Sequence, residues 1–316
     1  MKKQDCPLIS IAIPTFNRAH GYFRETLQSA RNQDYPNIEI IVADNASMDN
    51  TEEFVKAISD QRIRYFKHPV NMTPNDNFNF CLHQAHGDYF LLLHDDDLID
   101  ECFISSCMAA IRDSQEPGII RTGVRTIDDR GGVKCVHVNQ ADSLSPQDFF
   151  LSWFTYIKPS IPIYQCNTLF NTKQLKKEGG FKTRTDLYQD VAAIAKLVNK
   201  YGHANVHEPL ASYRRHGENF GRASRISDWC DDSLYLLDLI CTEINTNSRL
   251  LRRAGLKYLN RVCYTRAAQL KSPMERLKAY AIVYRKFNFR RSPISYFWRN
   301  TSRRLMKYIK HSLRAA

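Results

Sequence analysis

The chain has 316 residues, 43% of them apolar and 25% charged, proportions ordinary for a soluble globular protein and sufficient for one large domain with an appendage. No run of eighteen apolar residues occurs, the start MKKQDCPLIS lacks the apolar stretch of a signal peptide, and nine scattered cysteines without a CxxC pair argue against a disulfide scaffold or zinc centre and for reduced thiols in the cytosol. The net charge of +12 is unevenly spread: residues 251–316 carry eighteen Lys or Arg against one acid, Glu275, which leaves the remainder at −5 and points to two segments with two roles.

In chain order, Leu8–Ile13 is a β-branched run stopped by Pro14, and Phe23, Leu27 and Ala30 then recur at helical spacing until Asp34-Tyr35-Pro36 breaks it. Ile38–Ala43 reads as a second buried strand. Asn50 with Glu53 resembles a capping box opening a helix with Phe54, Val55 and Ile58 on one face. Ile63–Phe66 is a third strand, Phe78, Leu82 and Ala85 mark a third helix, and Asp88–Leu93 a fourth strand. Such alternation, with continuous apolar strands, predicts an open, mostly parallel α/β sheet flanked by helices. Ligands then sit beyond the carboxyl ends of the strands. Those ends carry Pro14-Thr15-Phe16-Asn17-Arg18, Asp44-Asn45-Ala46-Ser47 and His94-Asp95-Asp96-Asp97, so three polar clusters face one crevice.

Three adjacent carboxylates, Asp95, Asp96 and Asp97, repel one another and are costly to desolvate without a compensating positive charge. A hard divalent cation supplies it, since Mg²⁺ takes carboxylates together with substrate phosphates. A solvated acidic loop is the plainer reading of such a triplet, and its place at a central strand's carboxyl end favours the metal. Asp44 can accept hydrogen bonds from a nucleobase imide or from ribose hydroxyls; it is also an ordinary turn residue. A Rossmann dehydrogenase needs G-x-G-x-x-G after the first strand, where this chain has PTFNRAHG, and no Walker-type loop exists.

The motifs PTFNR, VADNASMDNT, the stretch from Asn71 to Gly87 and FLLLHDDDLID, in this order, resemble the family 2 glycosyltransferases with the GT-A fold, over roughly residues 7–220. The resemblance implies that Pro14, Thr15 and Asp44 hold base and ribose with Asn71 nearby, that Asp95 approaches the ribose or the metal, and that Asp97 coordinates Mg²⁺ or Mn²⁺ bridging the donor's diphosphate. Residues 1–222 would form the catalytic domain, with a nucleotide-sugar half at 1–97 and an acceptor half at 98–222, and 223–316 a basic helical extension.

Past Asp97, Glu101–Arg112 reads as helix and Gly118–Ile127 as extended, with Asp128–Gly132 a hairpin turn. Phe149, Phe150, Trp153, Phe154, Tyr156, Pro159 and Pro162 suit either core or a sugar-stacking wall. GGFKTRTDLYQDVAAIAKLVNKYG resembles the family's block around its catalytic base. Val191, Ile194, Ala195 and Val198 have helical spacing and place Asp190 near a helix start, where an Asp also serves as a cap. Gln189 stands where the family has a Glu, which leaves Asp190 as the base and Asp186 as the fallback. In HEPLASYRRHGENFG, Arg214 or Arg215 suits the departing diphosphate and His216 a metal or phosphate.

The implied chemistry is one in-line displacement: Asp190, ionised at neutral pH with an ordinary carboxylate pKa of ~4, takes the acceptor's proton, and the anomeric configuration inverts. After residue 223 the pattern turns helical. Ser272-Pro273-Met274-Glu275 is a helix start. From Ser292-Pro293 onward, Arg299, Arg303, Lys307, Lys310 and Arg314 form a stripe opposite Ile294, Phe297, Trp298, Leu305, Tyr308 and Ile309, which suits an anionic membrane surface or docking onto protein. The expected partners are a nucleotide-sugar donor, a saccharide or lipid-linked acceptor and that membrane surface, with no nucleic acid, and the expected location is cytoplasmic, peripheral on the inner face of the membrane. A sugar nucleotidyltransferase would need a Gly-rich phosphate loop that PTFNRAHG is not; a non-catalytic nucleotide- or carbohydrate-binding protein is favoured by Gln189 alone.

Overall fold

A computed structural model describes residues 6–111, 116–141, 144–156, 162–216, 224–244, 249–290 and 292–294. The first half is built as β1 (Ile9–Thr15), α1 (Tyr22–Arg31), β2 (Ile38–Asp44), α2 (Thr51–Lys56), β3 (Ile63–Lys67), α3 (Pro74–Gln84) and β4 (Tyr89–Leu92). Strands β1, β2 and β4 are buried at every position, because helices cover both faces of the sheet. Alternation decides which face each side chain serves. Ile9, Ile11 and Ile13 pack with Phe23 and Leu27 of α1, whereas Ala12, Phe90 and Leu92 meet Phe78 and Leu82 of α3 on the other side. All four strands run parallel in the order β4-β1-β2-β3; Thr15 pairs with Asp44 and Asp44 with Lys67, so the carboxyl ends of β1, β2 and β3 are level, and β4 stops opposite Ala12.

The chain continues through β5 (Leu98–Ile99), α4 (Phe103–Ala109), β6 (Ile119–Arg121), β7 (Val124–Ile127), β8 (Val133–His137), α5 (Pro146–Thr155), β9 (Thr168–Asn171), α6 (Thr172–Lys177), α7 (Gln189–Tyr201), β10 (His203–Asn205) and β11 (Ala211–Arg214). The large sheet is β10-β6-β9-β4-β1-β2-β3. Only β9 runs antiparallel to its neighbours β4 and β6, so β6 points the same way as β4 and its last residue, Arg121, joins the crevice edge. The extended run expected over Gly118–Ile127 is split between two sheets. After β6 the chain turns at Thr122-Gly123 into a small sheet of order β5-β11-β7-β8. A Cβ on Gly123 would lie 2.6 Å from the His137 carbonyl oxygen and 2.9 Å from that of His207, so the crossing needs glycine. The expected hairpin at Asp128–Gly132 joins β7 to β8, with Asp128 accepting the N–H groups of Arg130 and Gly132.

The capping box expected at Asn50 and Glu53 is absent. Asn50 sits at φ −78, ψ 26, outside the extended geometry a cap side chain needs, and makes no cap bond. Asp49 does the work: one oxygen accepts the Thr51 N–H and hydroxyl, the other the Ala19 N–H. In the aromatic segment, Phe149, Phe150, Trp153 and Phe154 are core, Tyr156 is exposed, and Pro159 lies outside the described residues.

Helices α8 (Ile226–Glu243), α9 (Arg249–Ala267) and α10 (Pro273–Lys286) follow. They share one buried cluster with α5 and α7, including Trp153, Val191, Leu237, Leu259 and Val283. As the sequence predicts, the Ser272 hydroxyl accepts the Glu275 N–H with Pro273 in the first turn. The basic stripe from Arg299 to Arg314 lies outside the described residues. No described helix is long and apolar enough to cross a membrane.

Candidate functional site

Three loops at the carboxyl edge are tied together by short polar side chains. The Asn45 N–H donates to the Thr15 carbonyl (2.8 Å), the Asn17 N–H to the Ser47 hydroxyl (2.8 Å), and the Met48 N–H to the Asn17 side-chain oxygen (2.9 Å). The Asn45 amide also pairs in both directions with the backbone of Met72, while the Asn71 amide reaches the Asn45 carbonyl at 3.2 Å. Asn17 and Ala46 hold left-handed conformations, at φ 53 and 66. Asp44 is fully buried and accepts the Ser47 N–H and the Tyr65 hydroxyl. A carboxylate has about four lone-pair sites, so these bonds leave part of its acceptor capacity unused. Pro14 ends within β1, and Phe16 is 42% exposed at the crevice rim.

The acidic triplet is anchored from three sides. Asp95 accepts the Thr15 hydroxyl at 2.8 Å. Burial and the charge of Asp96 push its carboxyl up to about 6, against the pull of Thr15 and Arg18. Asp96 meets His216 Nε2 at 2.7 Å. Burial opposes its ionisation, but that bond and the electrostatic pull of His94, His216 and Arg18 win and hold it below the usual range. Asp97 is 1% exposed and accepts the Arg214 N–H at 2.9 Å. Burial, then the Asp96 charge, pushes it well above the usual range. Arg214, itself buried, donates to the Asp96 carbonyl (2.9 Å) and to Glu25 (2.6 Å) and lies over the Tyr22 ring, so β11 is stitched onto the triplet. Arg215 donates its N–H to the Ile127 carbonyl.

Ligand atoms of His94, Asp96 and Asp97 all lie within 4.8 Å of one another. Burial lowers the pKa of His94, favouring the neutral imidazole a metal needs, and its Nε2 is buried without a hydrogen-bond partner among the described residues. An orphaned nitrogen beside two carboxylates fits a divalent cation. His216, expected as a ligand, stands behind this set on Asp96.

Asp190 lies in the first turn of α7, where one oxygen accepts the Val191 N–H at 2.8 Å. Burial pushes its carboxyl up to about 6, although backbone bonds and the Arg121 charge oppose the rise. The ordinary pKa expected from sequence is therefore corrected: burial at the start of α7 raises it. Arg121, 2% exposed, is pushed down to about 9 by burial, donates to the Pro162 carbonyl, and keeps Nε without a partner among the described residues. The Gln189 side-chain nitrogen is orphaned in the same way. Asp186, the fallback base, is engaged at the start of α3, bonded to Thr73 and the Asn75 backbone, and burial raises its pKa.

Asp186 and Tyr188 hold left-handed backbone at φ 62 and 56, just before Asp190. The loop is clamped by Asp232 of α8, fully buried, which accepts the N–H groups of Arg184, Thr185 and Leu187. Sequence reasoning singled out neither Asp232 nor Arg121, and named Asn45 only within the polar cluster after β2. Only Asn45 had a local signal, as an amide at a strand's carboxyl end.

A family model described as Glycosyl transferase family 2 matches residues 10–177. The GalNAc(5)-diNAcBac-PP-undecaprenol beta-1,3-glucosyltransferase of Campylobacter jejuni is 37% identical over 32% of this chain and 34% of its own length. Abequosyltransferase RfbV of Salmonella typhimurium is 40% identical over 29% of this chain and 28% of its own. The chain thus spans about a third of the length of these curated relatives. S. aureus TarS 1-349 in complex with UDP-GlcNAc superposes with a TM-score of 0.66 at 17% identity, over 89% of this chain and 81% of that one. The mannosyltransferase PcManGT from Pyrobaculum calidifontis, in complex with GDP-Man and Mn2+, gives 0.55 at 18% identity, over 87% and 74%. At such identities the likeness speaks for the fold.

Proposed function

The chain belongs to glycosyl transferase family 2 and has the GT-A fold, and from that premise we propose that it is an inverting enzyme moving a sugar from a nucleoside-diphosphate sugar to a saccharide or lipid-linked acceptor. The observation that carries this reading is the His94–Asp96–Asp97 set next to the Thr15–Asp95 bond at the carboxyl ends of the strands, with Arg121 of β6 electrostatically coupled to Asp190 of α7. UDP-sugars are the favoured donors. Pro14, Thr15, Phe16, Asn17 and Asp44 line the base and ribose pocket, with Asn71 at its rim, and Arg18 faces the phosphates.

Mg²⁺ or Mn²⁺ would be held by Asp97 with Asp96 and His94. His216 orients Asp96, and the mixed nitrogen and oxygen donors suit Mn²⁺ better than Mg²⁺. When bound, the ion supplies Lewis-acid stabilisation of charge on the leaving diphosphate. Asp190 accepts the proton of an acceptor hydroxyl as that oxygen bonds to the anomeric carbon. The bond to the diphosphate oxygen breaks on the opposite face, its electron pair leaves with the diphosphate, and the configuration inverts.

The test is turnover across a panel of nucleotide sugars with Mn²⁺, Mg²⁺ or EDTA. The expected result is metal-dependent transfer or hydrolysis of one donor, lost in Asp97→Asn. Donor binding without turnover, even with lipid-linked acceptors supplied, would favour a non-catalytic binder; turnover unaffected by EDTA would remove the metal from the reading.

We place the enzyme on the cytoplasmic face of a membrane, held by the basic residues beyond 293. The support is their charge, each Lys or Arg near an anionic surface being worth about 1 kcal/mol, and a relative whose name includes PP-undecaprenol. Deleting residues 293–316 is expected to abolish co-sedimentation with anionic vesicles and leave soluble-donor binding intact. Equal partitioning of the shortened chain would refute the anchor.

A further inference from the structure

Away from the crevice, a cleft of about 240 Å³ lies between α9 and the end of α10, lined by Arg253, Leu256, Lys257, Asn260, Phe287 and Arg290. The first four are spaced i, i+3, i+4 and i+7, one face of α9. The other wall is set by a left-handed turn: Asn288 and Phe289 adopt φ 53 and 58, the Phe289 N–H closes on the Tyr284 carbonyl at 2.8 Å, and Arg290 is carried back over α9. Such backbone in two consecutive non-glycine residues is costly and persists where the surroundings require it.

At the floor, Asn260 is 2% exposed, and neither its Oδ1 nor its Nδ2 has a hydrogen-bond partner among the described residues. Packing alone would be better met by leucine, since a buried amide with both ends unpaired is destabilising. Three cations ring the cleft, no acid lines it, and none of the three has an ion pair among the described residues. Neighbouring cations are neutralised: Arg252 pairs with Asp238 and Lys286 with Asp231.

We propose that this cleft is a second, non-catalytic site that binds the phosphoryl group of a phosphate ester. Two guanidinium forks and an ammonium match a dianion of three or more oxygens better than a single carboxylate. The Asn260 amide supplies a neutral donor at the floor, and Leu256 and Phe287 give an apolar wall to the ester's organic part. A lipid headgroup and a free phosphate share this chemistry.

The test uses the full chain at fixed ionic strength, because phosphate contacts are screened by salt. Thermal unfolding is followed with inorganic phosphate, octyl phosphate and neutral octyl glucoside. A phosphate-dependent rise in Tm is expected, with none from the glucoside. The apparent Kd is expected to rise tenfold or more in Asn260→Leu and in Arg253→Gln/Arg290→Gln, both with the basic tail intact. Asn260→Leu alone should unfold no earlier than the parent; if it fails to fold, the double variant at exposed positions carries the test. Equal shifts with both phosphates identify a free phosphate. A shift with octyl phosphate alone, with binding to phosphatidic acid vesicles that the double variant weakens, identifies a lipid headgroup. No shift with either phosphate, or the same shift in the double variant, overturns the site.

Discussion

Asp190→Asn is expected to lower sugar transfer by about 10²–10⁴, the usual worth of a general base, while donor affinity stays within a few-fold. The amide keeps the shape, and its oxygen still accepts the Val191 N–H that the carboxylate holds, so α7 keeps its start. The loops that follow β1, β2 and β4 make no bond to Asp190 among the described residues. Loss of donor binding together with transfer would assign Asp190 a structural role instead. The pH profile gives a second reading. Burial raises this carboxyl to about 6, with Arg121 the charged group that opposes the rise. Only the ionised form is a base, so kcat/KM should climb with pH through about 6 and then level. Stability has the opposite sign. The folded chain holds the proton up to about 6 and the unfolded chain releases it near 4, so the group's contribution to stability falls as pH rises across that window. Asp95, pushed up to about 6 by burial and Asp96, titrates in the same range. The residual activity of Asp190→Asn separates them: whatever acid limb persists there does not belong to Asp190.

The clustering of the polar strand ends was legible because its signals are local. A β-branched run ending in polar residues marks a buried strand and its carboxyl end, and the parallel-sheet rule then brings Thr15, Asp44 and Asp95 to one crevice without knowledge of any long-range contact. Legibility ended where a role depends on a distant partner. His94 stands beside the acidic triplet, yet its burial against Phe78, 5.3 Å between rings, is a tertiary fact. β9 is four residues inserted antiparallel between β4 and β6, too short for its periodicity to announce a direction, and without it Arg121 has no reason to reach the crevice. The split at Gly123 is likewise set by carbonyls of His137 and His207 that no neighbouring residue foretells. The misassigned cap at Asn50 shows the smaller error. Asp and Asn at adjacent positions have similar capping preference, and the choice fell to Asp49 because its second oxygen is used by Ala19 in another loop.

Asp232 is the strongest case of a distant partner, and its removal is expected to have the largest effect on the fold and the catalytic loop together. It lies on α8, forty-five residues beyond Leu187, fully buried, and its two oxygens accept the N–H groups of Arg184, Thr185 and Leu187 at 2.9 to 3.2 Å. Those are charge-assisted bonds, stronger than neutral ones. They hold a segment whose next turns, Asp186 and Tyr188, carry left-handed backbone costing of order 1–3 kcal/mol each. Asp232→Ala leaves three N–H groups without their acceptor, at about 1–3 kcal/mol apiece, so destabilisation of at least about 3 kcal/mol in urea unfolding is expected. Asp232→Asn keeps the volume but turns an amide donor toward N–H donors, and should retain the fold with a loosened loop. For that variant kcat should fall at least tenfold while donor Kd is unchanged, because among the described residues the loops of β1, β2 and β4 make no bond to Asp232. A stable Asp232→Asn protein with full kcat would show that the clamp serves packing alone. Loss of transfer to the acceptor, with slow donor hydrolysis preserved, would tie the helical region to the placement of the base.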